Sequence, residues 1–413
     1  MDSGIIKIKA RQVLDSRGNP TIEAEVHTRS GFGNAIVPSG ASTGMYEAKE
    51  LRDEKKAYHG KSVLNAIKNV EKIFKELKNK DVVKQNLIDN LMIKLDGTPD
   101  KIVLGSNAIL SVSLASSRCA SNLLNKPLYE YLGNKRVLPI PFCNIINGGK
   151  HAEGDLQLQE FMIVPVKAKS FSEATQMVSE IYQTLKLDLE KKYGKHAANV
   201  GDEGGFVPPL NKAEEAFELI QKAIEENNYQ DKVKLALDAA ASEFHDPNKN
   251  KYILENKELD RYNMIDYYLN LIKTYKLISI EDPFDQEDYL AWKEFKQKAK
   301  IQIVGDDLLV TNPEKIKEAI KEKLCNALLL KPNQIGTLTE SLDACRLAHS
   351  ANWRVMVSHR SGETEDTFIA DLAVGLGTGQ IKLGAPARGE RTCKYNRLLK
   401  IEEELSRPKY GKI

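Results

Sequence analysis

The sequence predicts an α/β fold: a TIM-type barrel with an irregular ββαα start, preceded by a small α+β N-terminal domain. Three observations carry that prediction. Four apolar runs, VKLALD, KLISIED, IQIVGDD and NALLLK, each stop at charge: at Asp238, at Glu281 and Asp282, at Asp306 and Asp307, and at Lys331. Helix-patterned stretches such as MIDYYLNLIKTYK and PEKIKEAIKEKL lie between them, the alternation expected of parallel strands buried on both faces. Glu281, Asp306 and Lys331 follow one another at equal intervals, as a strand–helix repeat requires. Charge delivered repeatedly to strand C-terminal ends is where a (β/α) barrel builds its active site.

Residues 1–135 read as the α+β domain. IIKIKARQVLD, TIEAEVHT and GNAIVP are three strands of an antiparallel meander, with DSRGNP and RSGFG supplying the turns. The helix patterns SVLNAIKNVEKIFKELKN, VVKQNLIDNLMIKL and GSNAILSVSLASSRCASNLL come afterwards, and strands before helices mark an α+β unit. Between strands and helices sits VPSGASTGMYE, flexible and rich in hydroxyls. It is either a plain surface connection or a lid that closes over the barrel mouth and brings a hydroxyl to a metal.

Residues 136–413 are enough for a barrel, whose typical size is about 250 residues. Two strand-like runs, FCNII and EFMIVPV, precede any helix and are joined by NGGKHAEGDLQLQ. Two helices follow in succession, FSEATQMVSEIYQTLKLDLEKKY and KAEEAFELIQKAIEE, separated by NVGDEGGFVPP. Strict alternation begins at VKLALD and continues through WRVMVSHRSGE and QIKLGAP. Asn312-Pro313-Glu314 marks a helix start, with Asn as cap, Pro in the first turn and an acid at the positive end. GLGTGQ is not a dinucleotide loop, because it leads from helix into strand rather than from strand into helix.

The polar chemistry sits in loops and strand ends. Glu203 lies beside Asp202 in GDEGGF, Glu160 opens the second barrel strand, and His151 is in the loop before it. His359, Arg360 and Ser361 follow another strand, and Lys382 lies in QIKLGAP. Singly, each has an ordinary structural role: a turn acid, a satisfied histidine, a snorkelling lysine. Together they suggest a site. Asp238, Glu281 and Asp306 at neighbouring strand ends would repel one another unless a divalent cation neutralises them. Three carboxylates plus waters and substrate oxygens suit Mg²⁺ better than Zn²⁺. Alternation along an extended chain predicts that Asp306 and Asp307 point apart. Lys331 ends a buried strand, where burial and a nearby cation would lower its pKa and make it a general base.

Sixty basic residues against 58 acidic give a net charge of +2, well interspersed, which argues against a nucleic-acid partner. No apolar stretch approaches the roughly 20 residues of a membrane span, and MDSGIIKIKA does not read as a signal peptide. Five scattered cysteines without a CxxC read as free thiols in a reducing compartment, so the expected location is cytoplasmic.

The motifs DSRGNPT, VPSGASTG, LQEFMIVP, NVGDEGGF, SIEDPF, VGDDLLVTNP, LLLKPNQIGT, SHRSGETEDT and IKLGAPARGER span the chain, which resembles the enolase family, with a phrasing closer to its eukaryotic members. The resemblance implies a homodimeric, glycolytic and gluconeogenic hydro-lyase that interconverts 2-phosphoglycerate and phosphoenolpyruvate with two Mg²⁺ per site. It implies Lys331 as the base at C2, with Glu203 supported by Glu160 as the acid for the leaving 3-hydroxyl. Asp238, Glu281 and Asp306 would hold the first Mg²⁺, and Ser42 with substrate oxygens the second. Lys382 would neutralise the substrate carboxylate, Arg360 and Ser361 would bind phosphate, and His151 and His359 would line the pocket. A Lys or His base beside Mg²⁺ is the recurrent device of enolase-superfamily sites. Three rivals are weaker. A racemase or cycloisomerase of the superfamily would show a KxK pair where this chain has QLQEF, a Schiff-base aldolase would not need three neighbouring acids, and a non-enzymatic binding protein would have lost some of the charged set.

Overall fold

Strands β1 (Lys7–Leu14), β2 (Pro20–His27) and β3 (Phe32–Ile36) open the chain as an antiparallel meander in the order β1-β2-β3. The computed structural model describes residues 2–41, 43–133, 135–152, 154–406 and 408–412. Asp15 shapes the first turn by accepting hydrogen bonds from the backbone N–H groups of Arg17 and Asn19, both at 2.9 Å. Helices α1 (Leu64–Leu77), α2 (Gln85–Asp96) and α3 (Ser106–Leu123) follow. Alternation along β2 buries Ile22, Ala24 and Val26. The sheet lies so close to α3 that a Cβ on Gly33 would sit 2.2 Å from the backbone nitrogen of Cys119.

After the short α4 (Leu128–Leu132) and β4 (Val137–Leu138), the barrel starts with β5 (Ile140–Asn147) and β6 (Glu160–Val164). Helices α5 (Phe171–Tyr193) and α6 (Ala213–Glu226) come next, and β7 (Lys234–Asp238) resumes the sheet. The ββαα start is therefore present. β6 runs antiparallel to both β5 and β7, whereas every other barrel pairing is parallel. A side sheet of β8 (His245–Asp246), β9 (Lys251–Leu254) and β10 (Lys257–Leu259) then interrupts the repeat.

From α7 (Arg261–Tyr275) the alternation is regular. It runs through β11 (Ser279–Glu281), α8 (Tyr289–Lys298), β12 (Gln302–Gly305), α9 (Pro313–Glu322) and β13 (Ala327–Leu330). It goes on with α10 (Pro332–Ile335), α11 (Leu338–Ser350), β14 (Arg354–Ser358), α12 (Phe368–Leu376), β15 (Gly379–Lys382) and α13 (Gly389–Glu404). Asn312 caps α9 as its sequence predicts, its side chain accepting from the Glu314 N–H at 2.9 Å. The eight strands close in the order β11-β12-β13-β14-β15-β5-β6-β7. Ile140, Phe142, Met162, Val164, Ala236, Val304, Ala327, Leu329 and Met356 fill the interior, so the barrel is a packed core whose polar groups gather at one rim. β16 (Lys409–Tyr410) returns to pair in parallel with β4.

Two ties hold the first three-stranded unit over the rim. Ser39 and Gly362 exchange backbone hydrogen bonds of 2.8 and 2.9 Å. Arg118 on α3 makes a two-pronged ion pair with Asp366, both bonds at 2.6 Å.

Candidate active site

Strand register brings the acids into one row. β6–β7 pairing sets Glu160 opposite Asp238, and β7–β11 pairing sets Asp238 opposite Glu281. Lys382 ends β15 and reaches across this row, with Nζ 2.9 Å from Asp238, 2.8 Å from Glu281 and 3.2 Å from Glu160. All four side chains are buried. Lys331, one residue beyond β13, forms a separate ion pair of 2.5 Å with Asp306, whose other oxygen accepts from Gln334 Nε2 at 2.7 Å.

Two lysines stand among the acids, Lys382 across Asp238 and Glu281 and Lys331 on Asp306. Burial lowers the Lys331 pKa, but the charges of Asp306 and Glu281 together outweigh it and hold the group above the ordinary lysine value. The donor set nonetheless fits a hard divalent cation. Glu281 keeps one buried oxygen, Oε2, with no hydrogen-bond partner among the described residues, and the Asp238 carboxylate stands opposite it in register.

Asp282 and Asp307 acquire places. β12 ends at Gly305, so Asp306 and Asp307 lie in a turn and the alternation rule does not apply to them. Oxygens of Asp282, Asp306 and Asp307 come within 4.8 Å of one another. Asp282 accepts the backbone N–H groups of Asp306 at 2.9 Å and Asp307 at 2.7 Å, bracketing the turn. Burial, with the Asp306 charge, pushes Asp307 up to about 8.

Opposite the lysines is an acid pair. Glu203 projects from a tight turn in which Gly201 N–H donates to Gly205 O at 2.9 Å, and a Cβ on Gly205 would fall 1.9 Å from Asn147 Oδ1. Glu203 accepts from Asn144 Nδ2 at 3.1 Å and Ser361 Oγ at 3.3 Å, with His359 Nε2 at 3.3 Å and His151 Nδ1 at 3.6 Å. Burial raises Glu203, but the two histidines and Arg391 outweigh it and hold the group well below the carboxylate range. Glu160 moves the other way, lifted by burial and by the Glu203 charge. Of the two carboxyl groups, Glu160 is thus the more readily protonated.

The hydroxyl-rich segment after β3 reaches the rim. Ser42 itself lies outside the described residues. Glu47, five positions on, is buried and binds Arg360 through two bonds, 3.0 and 3.2 Å, while accepting from Gly44 N–H at 3.1 Å. Gly44 rests on the Asp307 turn so closely that a Cβ there would lie 2.5 Å from Val310 Cγ1. Met45 N–H donates to Gln286 at 3.1 Å, and Lys315 sits 3.8 Å over the Tyr46 ring. Sequence reading missed Glu47, Asn144, Asp282, Gln334 and Arg391 as site residues, although all but Asn144 lie in or directly beside recognised motifs.

A tight polar cavity results. It is lined by Lys331, Glu160, Glu203, His151, His359, Arg360, Ser361 and Lys382, together with Asp238, Gln159 and Ser358. The sequence-predicted catalytic and substrate-binding residues therefore converge on one place, while Glu281 and Asp306 reach it through their ion pairs with Lys382 and Lys331.

Residues 5–132 match the family described as "Enolase, N-terminal domain", and residues 135–411 match "Enolase, C-terminal TIM barrel domain". The chain belongs to the enolase family. It is 56% identical over 408 residues to the enolase of Methanocaldococcus jannaschii, covering 98% of this chain and 96% of that one. The enolase of Thermococcus gammatolerans is 55% identical over 408 residues, with 97% and 95% covered. That of Methanococcus vannielii is 53% identical over 412 residues, with 98% and 97% covered. Family membership makes the chain an enzyme of the hydro-lyase class with a small-molecule substrate and a divalent-metal requirement. Among the described residues no helix is long and apolar enough to cross a membrane.

Proposed function

We propose that the chain catalyses the reversible, Mg²⁺-dependent dehydration of 2-phosphoglycerate to phosphoenolpyruvate and water. The observation that carries this reading is the convergence of Lys331 and Lys382 with the Glu160–Glu203 pair and Arg360 on one polar cavity. Asp238, Glu281 and Asp306 would hold one Mg²⁺, and Ser42 with substrate oxygens a second, supplying positive charge where the enediolate develops. Lys331 accepts the C2 proton only as the free amine, so its ion pair with Asp306 has to open first. Lys382 neutralises the substrate carboxylate. Arg360 and Ser361 grip the phosphate, for which a planar guanidinium is suited, and His151 and His359 line the pocket. Glu203 receives the proton held at Glu160 and passes it to the departing 3-hydroxyl; in the reverse direction its ionised form draws a proton from water. Residues 1–135 act as the capping domain that carries the lid over the barrel of residues 136–413. The working form is a homodimer in the cytoplasm, serving glycolysis and gluconeogenesis.

Formation of phosphoenolpyruvate, followed by its absorbance with 2-phosphoglycerate and Mg²⁺, tests the proposal. Absence of turnover, or turnover indifferent to EDTA, overturns it. Lys331→Ala should abolish hydrogen exchange at C2. Glu203→Gln should block dehydration and spare part of that exchange; equal loss of both would refute the division of roles. An aldolase acting through Lys331 would instead be trapped by borohydride with a carbonyl substrate.

A further inference from the structure

Arg391, on α13, is fully buried and is not accounted for by the proposed chemistry. One guanidinium nitrogen lies 2.5 Å from His359 Nδ1 and donates to the Arg360 carbonyl at 2.6 Å. The other donates to the carbonyls of Ser361 at 2.5 Å and Asp202 at 3.0 Å. One side chain thus fastens the segment carrying the phosphate ligands to the turn carrying Glu203.

A guanidinium has five N–H donors, no acceptor, and keeps its charge at any pH a protein survives. His359 Nδ1 can therefore only accept from Arg391. An imidazole whose Nδ1 accepts carries its proton on Nε2, and Nε2 is the nitrogen that lies 3.3 Å from Glu203 Oε2. We propose that Arg391 is a positioning residue that locks His359 as the neutral Nε2–H tautomer, so that the group 3.3 Å from Glu203 is always a neutral N–H. The inference deepens the acid–base role assigned to Glu203 and rests on it for its meaning in catalysis.

The charged groups around His359 are Glu203 from the glycine-rich turn, Arg391 from α13, Lys382 from β15 and its own neighbour Arg360; His151 lies across Glu203. A second proton on the ring would aim an N–H at the guanidinium. Burial first, then Arg391 and Lys382 against the pull of Glu203, bring His359 down to about 3. The neutral donor matters for turnover. An imidazolium beside Glu203 would form a full ion pair and depress its proton affinity further still, while the Nδ1–H tautomer would turn a lone pair on its carboxylate.

Long-range ¹⁵N–¹H NMR of the ¹⁵N-histidine-labelled enzyme, with His359 assigned through His359→Asn, reads the tautomer directly. The wild-type ring should show Nε2–H and remain neutral between about pH 5.5 and about pH 8.5, although an ordinary histidine titrates near pH 6.5. Arg391→Met should let His359 titrate in that range or adopt Nδ1–H, while Arg391→Lys should restore the Nε2–H signature at least in part. In Arg391→Met the acid limb of the dehydration rate should move up with the His359 titration. Dehydration should fall on the order of tenfold, a fraction of the roughly 10²–10⁴ a positioned acid supplies, with C2 exchange less affected. A wild-type His359 that carries Nδ1–H, or that titrates within the window, overturns the proposal; so does an Arg391→Met enzyme with an unchanged His359. If Arg391→Met does not fold, the wild-type and Arg391→Lys spectra decide. An intact lock in a protein that fails to dehydrate 2-phosphoglycerate would sink the reading of Glu203 and leave the tautomer assignment standing.

Discussion

Asp282 shows how one side chain can build a site that it does not enter. Its own φ of 40° is strained, and both carboxylate oxygens are used on the backbone of Asp306 and Asp307. Asp282→Ala leaves two buried N–H groups without their partner, at about 1–3 kcal/mol for each. A lower melting temperature and a higher Mg²⁺ concentration for half-maximal activity are expected. Thermal melts and an Mg²⁺ titration check this, and an unchanged Mg²⁺ requirement would show that Asp282 does not shape the turn that holds Asp306. Position along the chain revealed which acids stand at strand ends, yet not which carboxylate faces the cavity and which faces its own backbone. Lys331 makes the same point. Its place was legible from the apolar run before it, but its charge state depends on a 2.5 Å separation from Asp306 that no spacing encodes.

Among the elements, the barrel strands were the easiest to read, because strands buried on both faces are continuous apolar runs. The side sheet β8–β10 was not read at all. Its strands are two to four residues long, too short for a run or an alternation to mark them as strands. The lid lies between these extremes. Its composition allowed either a plain connection or a cover, and the contacts of Gly44, Met45, Tyr46 and Glu47 with the rim favour the cover. Gly44→Ala puts a methyl group where Val310 and Asp307 already stand, at 2.5 and 3.2 Å. We expect kcat/KM to drop at least several-fold while the melting temperature barely moves, because the lid can lift without unfolding anything. Steady-state kinetics beside a thermal melt separate the two, and wild-type kinetics would show that the segment need not seat on the rim.

At the scale of the whole molecule, the Arg118–Asp366 pair joins α3 to the barrel. Burial tends to raise Asp366, but Arg118 outweighs it and holds the carboxylate below its ordinary value. A folded-state pKa lowered in this way adds stability above the unfolded value near 3.9, and that stability is lost as pH falls through the folded value. Asp366→Asn should cost up to about 3 kcal/mol at pH 7, the low end for a buried pair because Arg118 is one-fifth exposed. The gap from wild type should close as pH drops below about 4; denaturant titrations at both ends of that range test the sign. The order of the barrel strands has one more consequence. β5 is flanked by β6 on one side and by β15 on the other, and β15 comes near the end of the chain. On the ribosome, one edge of the wholly buried strand Ile140–Asn147 therefore has no partner until synthesis has passed Lys382. An apolar edge left open for so long invites pairing between nascent chains. Yield from cells should accordingly depend on translation rate and on chaperones that shield this edge, and the β4–β16 clasp is the last stitch to be set.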